Sequence, residues 1–70
     1  MEFHFIMTIT HPVNNGFNTA TFNGTYITRP NETRQDVYNA LFKMITEETG
    51  FSGRPNVTFF SLEPNHLSAA

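Results

Sequence analysis

The stretch TRQDVYNALFKMITEETG, residues 33–50, has the pattern of an amphipathic helix with a signal at each end. Its apolar side chains recur at positions i, i+3, i+4, i+7 and i+8, which form one face of a helix. They are Val37, Ala40, Leu41, Met44 and Ile45. Thr33 and Asp36 have the spacing of a capping box, and Gly50 can adopt the left-handed conformation that ends many helices. We therefore predict a helix between Thr33 and Gly50, closed by a hydrophobic contact of Phe51.

Period-two alternation predicts strands on both sides of this helix. Residues 3–10 alternate between two faces, and one of the faces carries Phe3, Phe5, Met7 and Ile9. Residues 17–28 and 57–62 are rich in β-branched and aromatic side chains. Pro12 ends the first strand because it has no amide hydrogen for the ladder, and residues 13–16 have turn chemistry. We predict three strands, the first two joined by a tight turn.

The pair Asn23-Gly24 interrupts the second strand and allows two interpretations. A bulge at Gly24 keeps one long strand, and it brings Ala20 and Phe22 onto the inner face together with Ile27, against strict alternation. A second hairpin turn is the alternative, because Asn-Gly is a strong hairpin signal. We favour the bulge, since a turn would leave two very short strands.

The order of elements predicts an α+β domain with ββαβ topology. A crossover through a helix is right-handed, and strands joined by a short turn pair antiparallel. The first strand is the richest in apolar residues, so we expect it in the middle of an antiparallel or mixed sheet of order 2-1-3, with the helix packed on one face. Seventy residues make one domain. We expect residues 1–70 to fold as a single unit in which residues 66–70 form a frayed tail.

The composition argues against catalytic and cofactor-binding classes of protein. The chain has no cysteine, which excludes disulfides and thiolate zinc sites. The histidines His4, His11 and His66 lack the spacing of metal ligands. The sequence shows neither a nucleotide-binding glycine pattern nor a nucleophile motif. We expect no enzymatic activity, no cofactor and no metal site.

Charge and hydropathy bear on the partners and the location of the protein. The net charge is −2, and the four basic residues are scattered as Arg29, Arg34, Lys43 and Arg54. A nucleic-acid-binding protein normally shows a basic patch or stripe. No stretch approaches the roughly 20 apolar residues of a membrane span, and the first residues lack the features of a signal peptide. We expect a cytoplasmic protein with no membrane contact.

The strands carry more aromatic residues than one helix can cover. Strict alternation in the third strand puts Val57, Phe59 and Ser61 opposite Thr58, Phe60 and Leu62. One phenylalanine therefore faces away from the helix whichever set faces inward. Either the tail or a loop covers this second face, or the aromatic residues form an exposed apolar patch that marks an interaction surface, and we favour the second interpretation. The candidate surface residues are Phe59, Phe60, Leu62, Ile6 and Tyr26.

These features favour a small protein-interaction or regulatory module that acts through its open sheet face or an edge strand. The sequence does not identify the partner protein. The alternative function is single-stranded nucleic-acid binding, in which Phe59 or Phe60 stacks on bases beside Arg29 and Arg54. The net negative charge weighs against this alternative.

The third strand also suggests self-association. It carries no charge between Val57 and Leu62, and an unprotected edge strand recruits partners. The second strand would be protected by its bulge at Gly24. We therefore predict a homodimer through residues 57–62, related by a two-fold axis.

Parts of the sequence resemble two groups of known proteins. The order strand, turn, strand, helix, strand, with RPNET at residues 29–33 leading into the helix, resembles the first half of a β-grasp, or ubiquitin-like, domain. That resemblance implies a fold and not a conjugation or sulfur-carrier role, because Ser68-Ala69-Ala70 stands where those proteins have a diglycine. The segments 33–36 and 59–65 resemble short uncharacterised proteins of actinobacteria and their phages, which implies no particular function.

Overall fold

A computed structural model gives the fold and describes residues 1–50 and 54–67. Strands β1 (Glu2–Val13) and β2 (Gly16–Ile27) are followed by helix α1 (Arg34–Thr49) and strand β3 (Asn56–Pro64). The sheet has the order β2-β1-β3, and both pairings are antiparallel. The predicted ββαβ topology, with β1 in the centre, is confirmed. Because β2 and β3 both run opposite to β1, they run parallel to each other.

Both ends of α1 have the predicted caps. The backbone N–H of Asp36 donates to Thr33 Oγ1 at 3.1 Å, and the N–H of Thr33 donates to Asp36 Oδ2 at 3.0 Å. Gly50 adopts a φ of 64°, and its N–H donates to the carbonyl of Thr46 at 3.1 Å. A side chain at Gly50 would be strained in this left-handed conformation, which explains glycine at this position. The contact predicted for Phe51 lies outside the described residues.

The core forms between α1 and the inner face of the sheet, which is the face toward the helix. Its buried side chains are Phe5, Met7, Ile9, Val37, Leu41 and Ile45. The prediction that Met44 belongs to the buried stripe is wrong, because its side chain is 44% exposed. Tyr38 and Phe42 are packed against the core instead, so the buried face of α1 is rotated toward them and away from Met44.

β2 pairs with β1 without interruption through the Asn23-Gly24 pair. Phe5 lies opposite Gly24 and Ile6 lies opposite Asn23 in a continuous register. The predicted bulge at Gly24 is therefore wrong, as is the alternative second hairpin. The predicted inner position of Ile27 is wrong too, since this side chain points to the outer face and is 73% exposed.

Gly24 has a packing role in β2 and no turn role. A Cβ atom at this position would lie 3.2 Å from Cε1 of the Phe5 ring. Such an approach is too close for ordinary van der Waals contact, so glycine leaves room for a core phenylalanine. The Asn-Gly pair thus lies inside a regular strand. Packing against the Phe5 ring outweighs the local preference of this pair for a turn.

The bulge of this sheet lies in β3. Thr8 pairs with Phe59 but the next residue, Ile9, pairs with Val57, so Thr58 is the extra residue. The bulge places Val57 on the inner face together with Phe60 and Leu62, all three packed against the core. The strict alternation predicted for residues 57–62 is therefore wrong at Val57 and Thr58, and it holds from Phe59 to Leu62.

The segment after β3 is tied to the start of β1. The backbone N–H of Asn65 donates to the carbonyl of Glu2 at 3.0 Å, and its side-chain amide donates to Glu2 Oε1 at 2.9 Å. His66 Nε2 lies 3.6 Å from the same carboxylate oxygen. Leu67 is 92% exposed, and residues 68–70 of the predicted frayed tail lie outside the described residues.

Candidate functional site

A groove lies between the first two turns of α1 and the edge strand β3. We call it the α1–β3 groove; it has a volume of about 500 Å³ and opens to solvent. It is lined by Arg34, Gln35, Tyr38, Val57, Thr58, Phe59 and Phe60. The extra residue of the bulge, Thr58, lines this groove, so the irregular part of β3 and the start of α1 border the same space.

The wall of the groove is aromatic. The rings of Tyr38 and Phe60 meet edge to face, with centroids 5.1 Å apart and an interplanar angle of 87°. Arg34 Cζ lies 4.8 Å from the centroid of the Phe60 ring, which is within the range of a cation–π contact. Phe60 therefore contacts both Tyr38 and Arg34, which also line the groove.

Arg34 gives the groove a positive charge. Among the described residues no carboxylate forms an ion pair with it, and no other lining residue is charged. The partial positive charge of the N-terminus of α1 adds to the same end of the groove. A guanidinium group stacked on a ring still has N–H donors along its edge, which suits the binding of a carboxylate. The groove therefore combines an apolar wall with an available cation.

The outer sheet face, which is the face away from α1, has a different character. Its centre is a block of threonines joined in cross-strand pairs: Thr8 to Thr21 at 3.0 Å and Thr10 to Thr19 at 2.9 Å between hydroxyl oxygens. Among the described strand residues of this face, the large exposed apolar side chains lie toward its edges, and they are Phe17, Ile27 and Phe59. No strand position on this face carries lysine or arginine.

The structure divides the five predicted surface residues between two faces. Ile6 and Phe59 lie on the outer face, and Phe59 is 54% exposed. Tyr26, Phe60 and Leu62 lie on the inner face, packed against the core. The five residues do not form one patch, although Phe59 and Phe60 both line the α1–β3 groove.

Sequence reasoning missed Arg34, Gln35 and Tyr38 as groove residues. Arg34 and Tyr38 are spaced i, i+4 at the start of α1, so they lie on the same side of the helix. That spacing was the available signal. Whether it marks a groove depends on the side of the helix along which β3 lies. Only the position and bulge of β3 settle this.

Tyr26 has a structural contact at the end of β2. Its hydroxyl donates to Glu32 Oε2 at 2.8 Å, and Glu32 Oε1 accepts from the backbone N–H of Arg29 at 3.0 Å. The loop between them includes Asn31, which has a positive φ of 66°. The hydrogen bond to Glu32, with a contribution from burial, raises the pKa of Tyr26 above its usual value of 10. This contact joins β2 to the segment that leads into α1.

The histidines do not come together. His4 lies on the outer face of β1, His11 lies on the inner face, and His66 lies beside Glu2. The described part of the chain holds no group of three or more side chains placed to bind a metal ion. Within residues 1–50 and 54–67, no helix is long and apolar enough to cross a membrane.

The fold and the groove define a small α+β domain of ββαβ topology with an open sheet. Comparison of the chain with protein-family models, curated proteins and solved structures gave no match. The two resemblances noted in the sequence stay predictions.

Proposed function

We propose that this chain is a small protein-interaction module that binds an extended segment of a partner protein in the α1–β3 groove. The observation that carries the proposal is the combination, at a sheet edge, of the Tyr38–Phe60 wall with the guanidinium of Arg34, which forms no ion pair within residues 1–50 and 54–67. A groove of about 500 Å³ is large enough for a few side chains of a bound peptide.

The location at an edge strand favours an extended peptide over a small molecule. A peptide strand can add to a sheet edge through main-chain hydrogen bonds while its side chains fill adjacent pockets. The bulge at Thr58 disturbs the regular ladder at one point of β3. We therefore expect pairing along the segment after the bulge, from Phe59 onward, with one apolar side chain against the Tyr38 ring.

The charge of the groove favours a partner segment with a carboxylate. Among the described residues that line the groove, Arg34 alone is charged, and a charge-assisted hydrogen bond contributes about 1.5–3 kcal/mol. An aspartate, a glutamate or a C-terminal carboxylate would supply the acceptor.

The alternative of single-stranded nucleic-acid binding has less support. Phe60 already contacts Arg34 and Tyr38, which leaves Phe59 as the exposed ring for stacking. No strand position of the outer face carries a lysine or arginine that could neutralise phosphates. The expected cytoplasmic location and the expected lack of enzymatic activity also stay predictions.

A displayed library of random linear peptides tests the proposal. We expect selected peptides to carry a carboxylate and to shift the NMR signals of Arg34, Tyr38 and Phe60 on titration. Arg34→Ala should weaken binding about tenfold. Lys43→Ala is the matched control, because Lys43 is an exposed cation on the same helix that does not line the groove.

Two results would contradict the proposal. One is peptide binding that shifts only signals of the outer sheet face and is equally sensitive to the Arg34 and Lys43 substitutions. The other is tight, salt-dependent binding of short oligonucleotides in place of peptides, which would support the nucleic-acid alternative.

A further inference from the structure

The free edge of β2 lacks the features that normally protect an edge strand. β2 has 12 residues, GFNTATFNGTYI, with no charged residue and no proline. Its pairing with β1 has no bulge. Charges, prolines and bulges are the means by which natural proteins prevent edge-to-edge pairing. β2 is a long, regular and uncharged edge, and it lies on the opposite side of the sheet from the α1–β3 groove.

The backbone of β2 presents its outward groups at defined positions. Thr28, directly after β2, donates its N–H to the carbonyl of Met1 at 2.9 Å. In an antiparallel ladder, alternate residues direct their N–H and C=O groups to opposite sides of the strand. The even-numbered residues of β2 therefore face β1, and the odd-numbered residues face the open edge. The outward positions are Phe17, Thr19, Thr21, Asn23, Thr25 and Ile27.

The two large apolar residues among these positions are placed symmetrically. Phe17 is 74% exposed and Ile27 is 73% exposed, and both lie on the outer face. They are at opposite ends of β2, each five positions from Phe22. An antiparallel pairing of two β2 strands about a two-fold axis at Phe22 would place Phe17 of each copy opposite Ile27 of the other. The edge is thus complementary to itself in one particular register.

We propose that two copies of this chain pair through β2, in antiparallel orientation and centred on Phe22, to form a continuous six-stranded sheet. In that register Thr19 faces Thr25 and Thr21 faces Asn23, so on the outer face polar residues meet near the centre and each Phe17 meets an Ile27 at either end. Aromatic–aliphatic and threonine pairs of this kind stabilise antiparallel strands. No like charges meet in this register, because the strand has none.

This contact differs from the homodimer predicted through residues 57–62. That prediction took β2 as the edge protected by a bulge, and the bulge lies in β3 instead. Pairing through β2 leaves both β3 edges and both α1–β3 grooves at the far ends of the six-stranded sheet. The second copy is therefore compatible with a partner peptide in each groove, and the inference does not depend on the proposed function.

Sedimentation equilibrium over a dilution series tests the contact. We expect the wild-type chain to dimerise, and Phe17→Lys to raise the dimer dissociation constant about tenfold or more, because the substitution removes two apolar pairs per dimer. Phe59→Lys is the matched control, since it removes an exposed phenylalanine from the same face at the other edge. Circular dichroism should show that both variants are folded.

A pair of charges tests the register. Phe17 and Ile27 are about 33 Å apart along one strand and cannot interact within one copy. Ile27→Glu alone should weaken the dimer, and the double variant Phe17→Lys with Ile27→Glu should dimerise more tightly than either single variant. A wild-type chain that is monomeric at high concentration would overturn the proposal. So would dissociation by Phe59→Lys with no effect of Phe17→Lys, or a double variant weaker than both singles.

Discussion

β2 and β3 pair with the same central strand, but one edge strand is regular and the other is bulged. β2 pairs with β1 over 12 residues without interruption, whereas β3 has an extra residue at Thr58. In β2, glycine at position 24 leaves room for the Phe5 ring. In β3, the bulge allows both Val57 and Phe60 to pack against the core. The regularity of each edge thus follows from how its strand packs on the core. The less regular edge borders the groove, and the more regular edge is free to pair.

We expect the largest change in the free energy of unfolding from a substitution in the core, on which both edge strands pack. Leu41 is 1% exposed in the centre of the buried helix face, and truncation to alanine should cost about 2–5 kcal/mol of the free energy of unfolding. Denaturant titration measures this loss. Met44→Ala is the control, because Met44 is 44% exposed and its truncation should cost much less. Equal losses for the two variants would mean that the buried face of α1 is misassigned.

The next effect tests the regular edge. Gly24→Val should destabilise the fold by about 1–3 kcal/mol, since a valine side chain would collide with the Phe5 ring. Asn23→Val, at the neighbouring exposed position of the outer face, should change stability by less than about 0.5 kcal/mol. Thermal unfolding of the two variants would decide the matter. If both are tolerated equally, Gly24 is not set by the core ring.

A smaller effect concerns the end of β2, where Tyr26 contacts Glu32. Tyr26→Phe removes one hydrogen bond, and we expect a loss of about 0.5–1.5 kcal/mol near neutral pH. The hydrogen bond raises the pKa of Tyr26 above 10, so its contribution is complete below pH 10 and is lost as the pH rises through the folded-state value. Unfolding measured between about pH 8 and pH 12 should show the wild type and the phenylalanine variant converging at high pH. A constant difference across that range would contradict this account.

The smallest expected change in stability comes from removing the irregularity of β3. Deletion of Thr58 leaves Val57 directly before Phe59, in the positions that a regular ladder with Ile9 and Thr8 requires. The variant should therefore stay folded, with a change of less than about 1 kcal/mol, and its regular β3 edge should associate more readily. Denaturant titration and sedimentation measure these two properties. An unfolded variant would show that Thr58 supports the strand in another way.

The features that the sequence predicted correctly are those decided by local interactions or by chain connection. The capping box of Thr33 and Asp36 and the cap at Gly50 involve residues close in sequence, so their spacing was sufficient. The position of β1 in the centre followed from its apolar content and the connection rules.

The errors arose where a distant residue outweighed a local preference. Asn23-Gly24 favours a turn or a bulge locally. Glycine stands at position 24 because a side chain there would approach the ring of Phe5 on β1 too closely. Nothing within residues 57–62 marks Thr58 as the extra residue, because the bulge depends on placing Val57 and Phe60 on the same core. The groove could not be predicted for the same reason, as it lies between α1 and the bulged part of β3.

The central position of β1 also has a consequence for the order of folding. Its two neighbours come from very different distances along the chain: β2 follows after a two-residue turn, whereas Thr8 and Thr58, in contact between β1 and β3, are 50 positions apart. Closing the short turn costs much less entropy than closing the long loop, so we expect the hairpin to form first and pulse-labelling hydrogen exchange to protect its amides earliest. During ribosomal synthesis the hairpin is complete long before β3 is made. During that interval β1 is itself an unpaired edge strand. The nascent chain avoids association through this edge only if α1 and β3 fold onto the hairpin before a strand of another molecule pairs with it.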